Sequence, residues 1–230
     1  ASRAAALGVV PGVWVVGFDS EELLPASAEL GAPALLLPEE SQRLAEVLSN
    51  ELPGRDTAQT LALTGASGGL GVSSLAVALA TRAAETGLRS VAVELASCGG
   101  GLDLLFGAET QEGMTWEELR HAVGEIGDLT PHLVPAERVS VLALGRPHGD
   151  SPDEAALSAV LRSLERSHDL VVVDAGDGAR LAELGRRVVP LLMVGADVRS
   201  VAAARMRARR IDLTGALLVV RVGKGRGLPP

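Results

Sequence analysis

An α/β fold built on a doubly wound, mostly parallel sheet is what this sequence predicts, on three observations. From residue 60 onward, short apolar runs alternate with helical patterns, the signature of parallel strands joined by crossover helices. Three of the runs, 169–176, 188–195 and 215–222, are almost continuously apolar, as strands covered on both faces must be. The chain has 230 residues, 47% of them hydrophobic, enough to bury a large core. Aromatic residues make up only 2%, so Ala, Val and Leu must fill that core.

Taken in order, VWVVGFD (13–19) is a strand. EELLPASAELG (21–31) has helical spacing with a glycine stop, and Pro25 is expected in its first turn. APALLLP (32–38) is a second strand and EESQRLAEVLSN (39–50) a second amphipathic helix. Residues 53–59, with Pro53-Gly54 and polar neighbours, read as a linker between a unit at 1–52 and a larger one at 60–230. In the larger unit TLALTG (60–65) is a strand, Ser73 to Thr86 a helix with Gly87 as its stop, and SVAVEL (90–95) a strand. A short apolar piece, LDLLFG (102–107), follows three glycines. TWEELRHAV (115–123) opens with a capping box, Thr115 to Glu118. VSVLALG (139–145) is a strand and DEAALSAVLRSLERS (153–167) an amphipathic helix. Helices at 179–187 and 198–210 separate the last three strands.

Composition sets limits on function. The net charge is −8, which argues against broad nucleic-acid binding. Cys98 is the single cysteine, so no disulfide or cysteine metal site forms within the chain, and a reducing cytoplasm is the expected compartment. The longest apolar stretch, Ala4–Phe18, is broken by Gly8, Pro11 and Gly12. It is too short for a membrane span and reads as a strand leading to Asp19.

Residues 67–74, SGGLGVSS, join a strand end to an Ala-rich helix. Glycines let backbone approach an anion closely. The N–H groups of Gly68, Gly69, Leu70, Gly71, Val72, Ser73 and Ser74 can converge on a phosphate, with the helix dipole favouring its charge. Ser73 is placed for Mg²⁺ or a phosphate oxygen. The strict pattern GxxxxGK[ST] fails, because Val72 stands in the lysine position. Lys224 is the chain's single lysine. A tight turn that binds nothing is the competing reading.

LTGASGGLGVSSLAVALATRAAETGLRSVAVEL, then GGGLDLLFGAE, then DLVVVDAG resemble in order the landmarks of the MinD/ParA family of deviant P-loop ATPases. The glycine-rich middle stretch and the N-terminal unit look most like its CpaE/TadZ branch, whose members include proteins labelled septum-site-determining. The resemblance covers about 60–222. It implies that 1–52 is the last part of a receiver-like domain, in which Asp19 follows a late strand as a solvated residue. It implies that Asp174 is the strand-end carboxylate that holds Mg²⁺ through water. Both family lysines are replaced, by Ser67 and Val72. Of the family's DxD pair the chain keeps Glu94 and loses the second carboxylate to Ala96. Asp103 matches a position near the first switch segment. Arg221 stands where the family often reads adenine with Asn, as a nucleotide-binding candidate or a solvated strand-end residue.

A cation on the transferring phosphate supplies roughly 10³–10⁵ in rate, or about 4–7 kcal/mol of barrier. Without these groups little ATP hydrolysis is expected, and ATP and Mg²⁺ are expected to bind weakly or not at all. The resemblance then implies a localisation or recruitment factor, a homodimer acting on pilus-assembly, secretion or division proteins at a pole, septum or membrane-bound machinery. Its alternatives are a slow dimerising ATPase and a nucleotide-free scaffold. Membrane contact is expected to be indirect, because the chain's end, GKGRGLPP, shows no amphipathic helix. Arg199, Arg205 and Arg209 offer a DNA contact, although a solvated helix face is the preferred reading. His121, His132, His148 and His168 have no ligand spacing and are expected at the surface.

Overall fold

The computed structural model describes residues 13–17, 20–37, 39–40, 43–44, 58–96, 100–145, 151–185, 188–211, 213 and 216–222. Asp19, most of the expected 39–50 helix, nearly all of the 53–59 linker, Cys98, His148 and Lys224 lie outside them. The strands are β1 (Val13–Gly17), β2 (Ala34–Leu36), β3 (Gln59–Gly65), β4 (Ser90–Glu94), β5 (Val134–Ala136), β6 (Val139–Leu142), β7 (Leu170–Asp174), β8 (Val188–Gly195) and β9 (Leu217–Val222). The helices are α1 (Ser20–Leu30), α2 (Val72–Glu85), α3 (Leu102–Leu105), α4 (Trp116–Leu119), α5 (Glu154–Ser167) and α6 (Val198–Ala208).

The strands of the described residues form one sheet in the order β2-β1-β9-β8-β3-β7-β4-β6-β5. Every pairing is parallel except β5 with β6. The mostly parallel, doubly wound architecture is therefore the one predicted. Side chains alternate faces along a strand, and the core divides accordingly. Leu61, Leu63, Ala92 and Val172 join Ala76, Leu79, Ala80 and Ala83 of α2 on one side. Ala62, Val91, Val93, Val171 and Val173 join Leu157, Val160, Leu161 and Leu164 of α5 on the other. β1 runs parallel to β9, with Val16 opposite Arg221. Val16 and Leu35 share the α2-side core with Leu191 and Val219.

Local signals act as the sequence predicts at several places. Thr115 and Glu118 close the capping box of α4. Asp153 caps α5 by accepting the Ala156 N–H at 2.8 Å. Gly87 takes φ +91° just past α2, and its N–H donates to the Ala84 carbonyl at 3.0 Å, a glycine helix stop.

Three expectations are corrected, and one strand is added. Pro25 lies inside α1 and not in its first turn, because the helix begins at Ser20. The expected helix at 179–187 is, among the described residues, one 3-10 turn, Leu181–Leu184. The helix expected over 115–123 is the single turn α4, after which residues 122–129 run without helix. β5 was not foreseen. It is three residues long, carries Pro135 and sits at the sheet edge, where a missing N–H costs no ladder bond.

Candidate functional site

Connections from β3 run outward to β4 and β6, whereas those from β7 run to the other side, to β8 and β9. The carboxyl end of β3 is thus the point where the winding reverses, the place such sheets bind ligands. The 66–71 loop occupies it. Two backbone bonds clip the loop to the flanking strands. Gly65 N–H donates to the Gly176 carbonyl beyond β7 at 3.2 Å, and Ala66 N–H donates to the Met193 carbonyl of β8 at 2.8 Å.

Gly71 precedes α2 at φ +89°, a left-handed geometry that a side chain resists. A Cβ on Gly65 would lie 2.9 Å from Val72 Cγ2 and 3.0 Å from the Ser67 carbonyl. So Val72, in the lysine position, folds back against the strand end as hydrocarbon. Leu70 is buried in the α2-side core and offers the loop only its backbone. Ser67, Gly68, Gly69 and Ser74 are exposed, and Ser73 is half-buried in the first turn of α2. The first N–H groups of a helix lack partners within it, so the start of α2 presents donors beside this loop.

Asp174 ends β7, is 1% exposed, and sits in register with Leu63 of β3 and Glu94 of β4. Its Oδ1 accepts the Gly176 N–H at 3.0 Å. Val93 and Val173 face α5, so Glu94 and Asp174, one residue on, turn toward the α2 side. Ser73 and Asp174 are oxygen donors of the kind that suit Mg²⁺. Among the described residues no group of three His, Cys, Asp or Glu is placed to hold a metal ion, so an ion there would draw its other ligands from phosphate and water. Ala96 is packed on the same turn: a Cβ on Gly176 would lie 2.9 Å from its methyl. Of the three positions where the sequence lost a charged group, Val72 and Ala96 are therefore filled with hydrocarbon, and Ser67 is an exposed hydroxyl.

Two buried groups, Glu94 and His168, escaped the sequence reading, and the structure gives the candidate Arg221 a contact with the loop. Glu94 is 3% exposed. Its Oε2 accepts N–H groups from Leu102 at 3.3 Å and Leu144 at 3.2 Å, tying α3 and the end of β6 to β4. Burial pushes its carboxyl above the ordinary 4.5, and the two N–H bonds pull the other way. The signal was a lone glutamate in the apolar run SVAVEL. Arg221, in β9, sends Nη1 to the Gly69 carbonyl at 3.2 Å, so the structure brings it to the loop. His168, expected at the surface, is 3% exposed. Its Nδ1 lies 3.1 Å from the Leu164 carbonyl, and burial holds its pKa down. It closes α5 before the buried start of β7, which is why it is covered. His121 and His132 are exposed as expected.

Arg199, Arg205 and Arg209 are exposed on or beside α6. A cleft of about 620 Å³ lies at the opposite, amino end of the strands, lined by Arg89, Asp128, Thr130 and Arg166 among others. Its polar groups are largely taken up: Arg89 pairs with Asp169 at 2.7 Å and Arg166 donates to the Ile126 carbonyl.

No family model matches the chain. It is 32% identical over 193 residues to an uncharacterized protein of Mycobacterium tuberculosis, found in two strains. That match takes in 80% of this chain, which spans about half (54%) of the relatives' length. Among solved structures, the MinC:MinD cell division protein complex of Aquifex aeolicus aligns with a TM-score of 0.58 and 20% identity, covering 71% of this chain and 68% of that one. The fold is that of the MinD/ParA-like P-loop ATPases. The chimerical protein CapA2B2 aligns at 0.61 with 16% identity over 96% and 97% of the two chains. The septum site-determining protein MinD of Pyrococcus horikoshii, complexed with Mg-ADP, aligns at 0.50 with 17% identity over 70% and 68%. Among the described residues no helix is long and apolar enough to cross a membrane.

Proposed function

We propose that this chain is a degenerate nucleotide switch, a localisation or recruitment factor of the CpaE/TadZ kind that serves pilus-assembly or secretion machinery or septum placement. It acts as a homodimer, by binding and positioning rather than by turnover. One observation carries the reading. The glycine loop, Ser73 and buried Asp174 remain together at the winding reversal, while Val72 and Ala96 put hydrocarbon where charged groups would drive phosphoryl transfer. The MinD of Pyrococcus horikoshii complexed with Mg-ADP, and the MinD of Aquifex aeolicus complexed with MinC, make a nucleotide and a protein partner natural expectations for this fold. In this reading residues 1–52 are the receiver-like remnant, and β1 and β2 are its contribution to the shared sheet.

Bound Mg-ATP would supply the phosphate charge that the loop N–H groups, Ser73 and Asp174 then hold. Calorimetry with Mg-ATP and a phosphate-release assay test the reading together. Weak binding without turnover is the expected result. No binding would make the chain a nucleotide-free scaffold. Steady turnover abolished by Ser73→Ala would make it a slow ATPase.

A further inference from the structure

We infer that Arg221 is the phosphate-recognising cation of this loop, reaching it from β9 in place of the lysines the loop lacks. The inference rests on the nucleotide reading above. It assigns Arg221 to the polyphosphate end of the ligand, not to the base.

Arg221 lies in register with Val16 of β1 and Gly195 of β8. Its carbonyl accepts the Ala196 N–H at 3.0 Å, which fixes the backbone from which the side chain leaves. Nη1 then donates to the Gly69 carbonyl at 3.2 Å, across 152 residues of sequence. Gly69 belongs to the exposed rim of the loop, at φ +73°. A guanidinium anchored there lies beside the loop whose N–H groups would cradle phosphate. It has five N–H donors, and the Gly69 carbonyl takes one. Among the described residues no carboxylate pairs with it, and its remaining donors match the bidentate geometry of a phosphate. Among the described residues no lysine competes for the role, and Val72, in the lysine position, is packed against Gly65. The ligand class is a nucleoside di- or triphosphate, discriminated from a monophosphate by charge at the loop.

The test is calorimetric titration of the whole chain with Mg-ADP, AMP and adenosine, for the wild type, Arg221→Gln and Arg221→Lys, with thermal melting of each. For a charge-assisted contact, Arg221→Gln is expected to weaken ADP about 10- to 100-fold while leaving adenosine unchanged. Arg221→Lys, which keeps the charge, retains a preference for ADP over AMP. Wild-type ADP affinity in Arg221→Gln overturns the inference alone, as does an equal loss for ADP and adenosine, which would place Arg221 at the base. If Arg221→Gln fails to fold, the folded Arg221→Lys decides: weaker ADP binding with adenosine unchanged is expected, and unchanged ADP binding or an equal loss for ADP and adenosine overturns the assignment. If the wild type binds none of the three, the nucleotide reading fails and the inference falls with it.

Discussion

Replacing Glu94 separates what its charge costs from what its oxygens hold. In Glu94→Ala, the N–H groups of Leu102 and Leu144 lose their shared acceptor. Each buried unsatisfied donor costs about 1–3 kcal/mol, so the loss is about 2–6 kcal/mol before any cavity term. Glu94→Gln keeps an oxygen able to accept both bonds and removes the burial of a charge, so it is expected within about 1 kcal/mol of wild type at neutral pH. The sign of the pH effect follows from the raised pKa. Between the ordinary 4.5 and the raised folded value, the folded state holds a proton that the unfolded chain has released. Stability therefore falls as pH rises through that window and levels off above it. Glu94→Gln removes this slope. Denaturant unfolding of the three proteins across pH measures both effects, and hydrogen exchange at Leu102 and Leu144 locates them. If Glu94→Ala is as stable as wild type, or Glu94→Gln is as damaging as Glu94→Ala, the shared-acceptor account is wrong.

Three further outcomes are expected. Trp116 is fully buried and its Nε1 donates to the Glu94 carbonyl at 2.8 Å, so Trp116→Ala should cost about 3–5 kcal/mol in chemical denaturation; a loss under about 1 kcal/mol would mean the site collapses to fill the space. Val72→Lys returns a cation to the loop and should tighten Mg-ADP about 10- to 100-fold by calorimetry, with phosphate release still low because Ser67 and Ala96 remain; unchanged affinity would speak against phosphate binding there. His168 has a pKa held below 6.5 by burial, so the unfolded chain takes up its proton first. Stability is then lost as pH falls below 6.5, and His168→Leu should flatten that part of the acid profile in thermal melts; an unchanged profile would place the loss elsewhere.

What the sequence made legible is what depends on near neighbours. The loop, its glycines and the helix that follows are contiguous, so residue types alone marked them. Continuous apolar runs marked β7, β8 and β9, because a strand buried on both faces has no polar side to display. Short elements were lost for the same reason. β5 has three residues and a proline, too few for a period, and α4 is one turn whose capping box promised more than followed. Pro25 misled because its tolerance inside α1 depends on where the helix starts, which spacing does not pin down.

The site itself was legible as a set of residue types and illegible as a set of contacts. Val72, Ala96 and Asp174 could each be matched to a position, but the packing of Val72 on Gly65 and of Ala96 on Gly176 comes from loop and turn geometry. The Arg221 contact depends on strand order. A residue 152 positions from Gly69 reaches it because β9 lies beside β8 and β8 beside β3, an order that no local pattern encodes. The same order bears on the chemistry. A loop lysine and a guanidinium sent in from a neighbouring strand both place positive charge by a phosphate, but they tie that charge to different parts of the fold. A lysine at 72 would move with α2, whereas Arg221 moves with β9 and with β1, its neighbour on the other side. If Arg221 holds the phosphate, ligand binding couples the loop to β9 and, through it, to the edge of the sheet formed by β1 and β2.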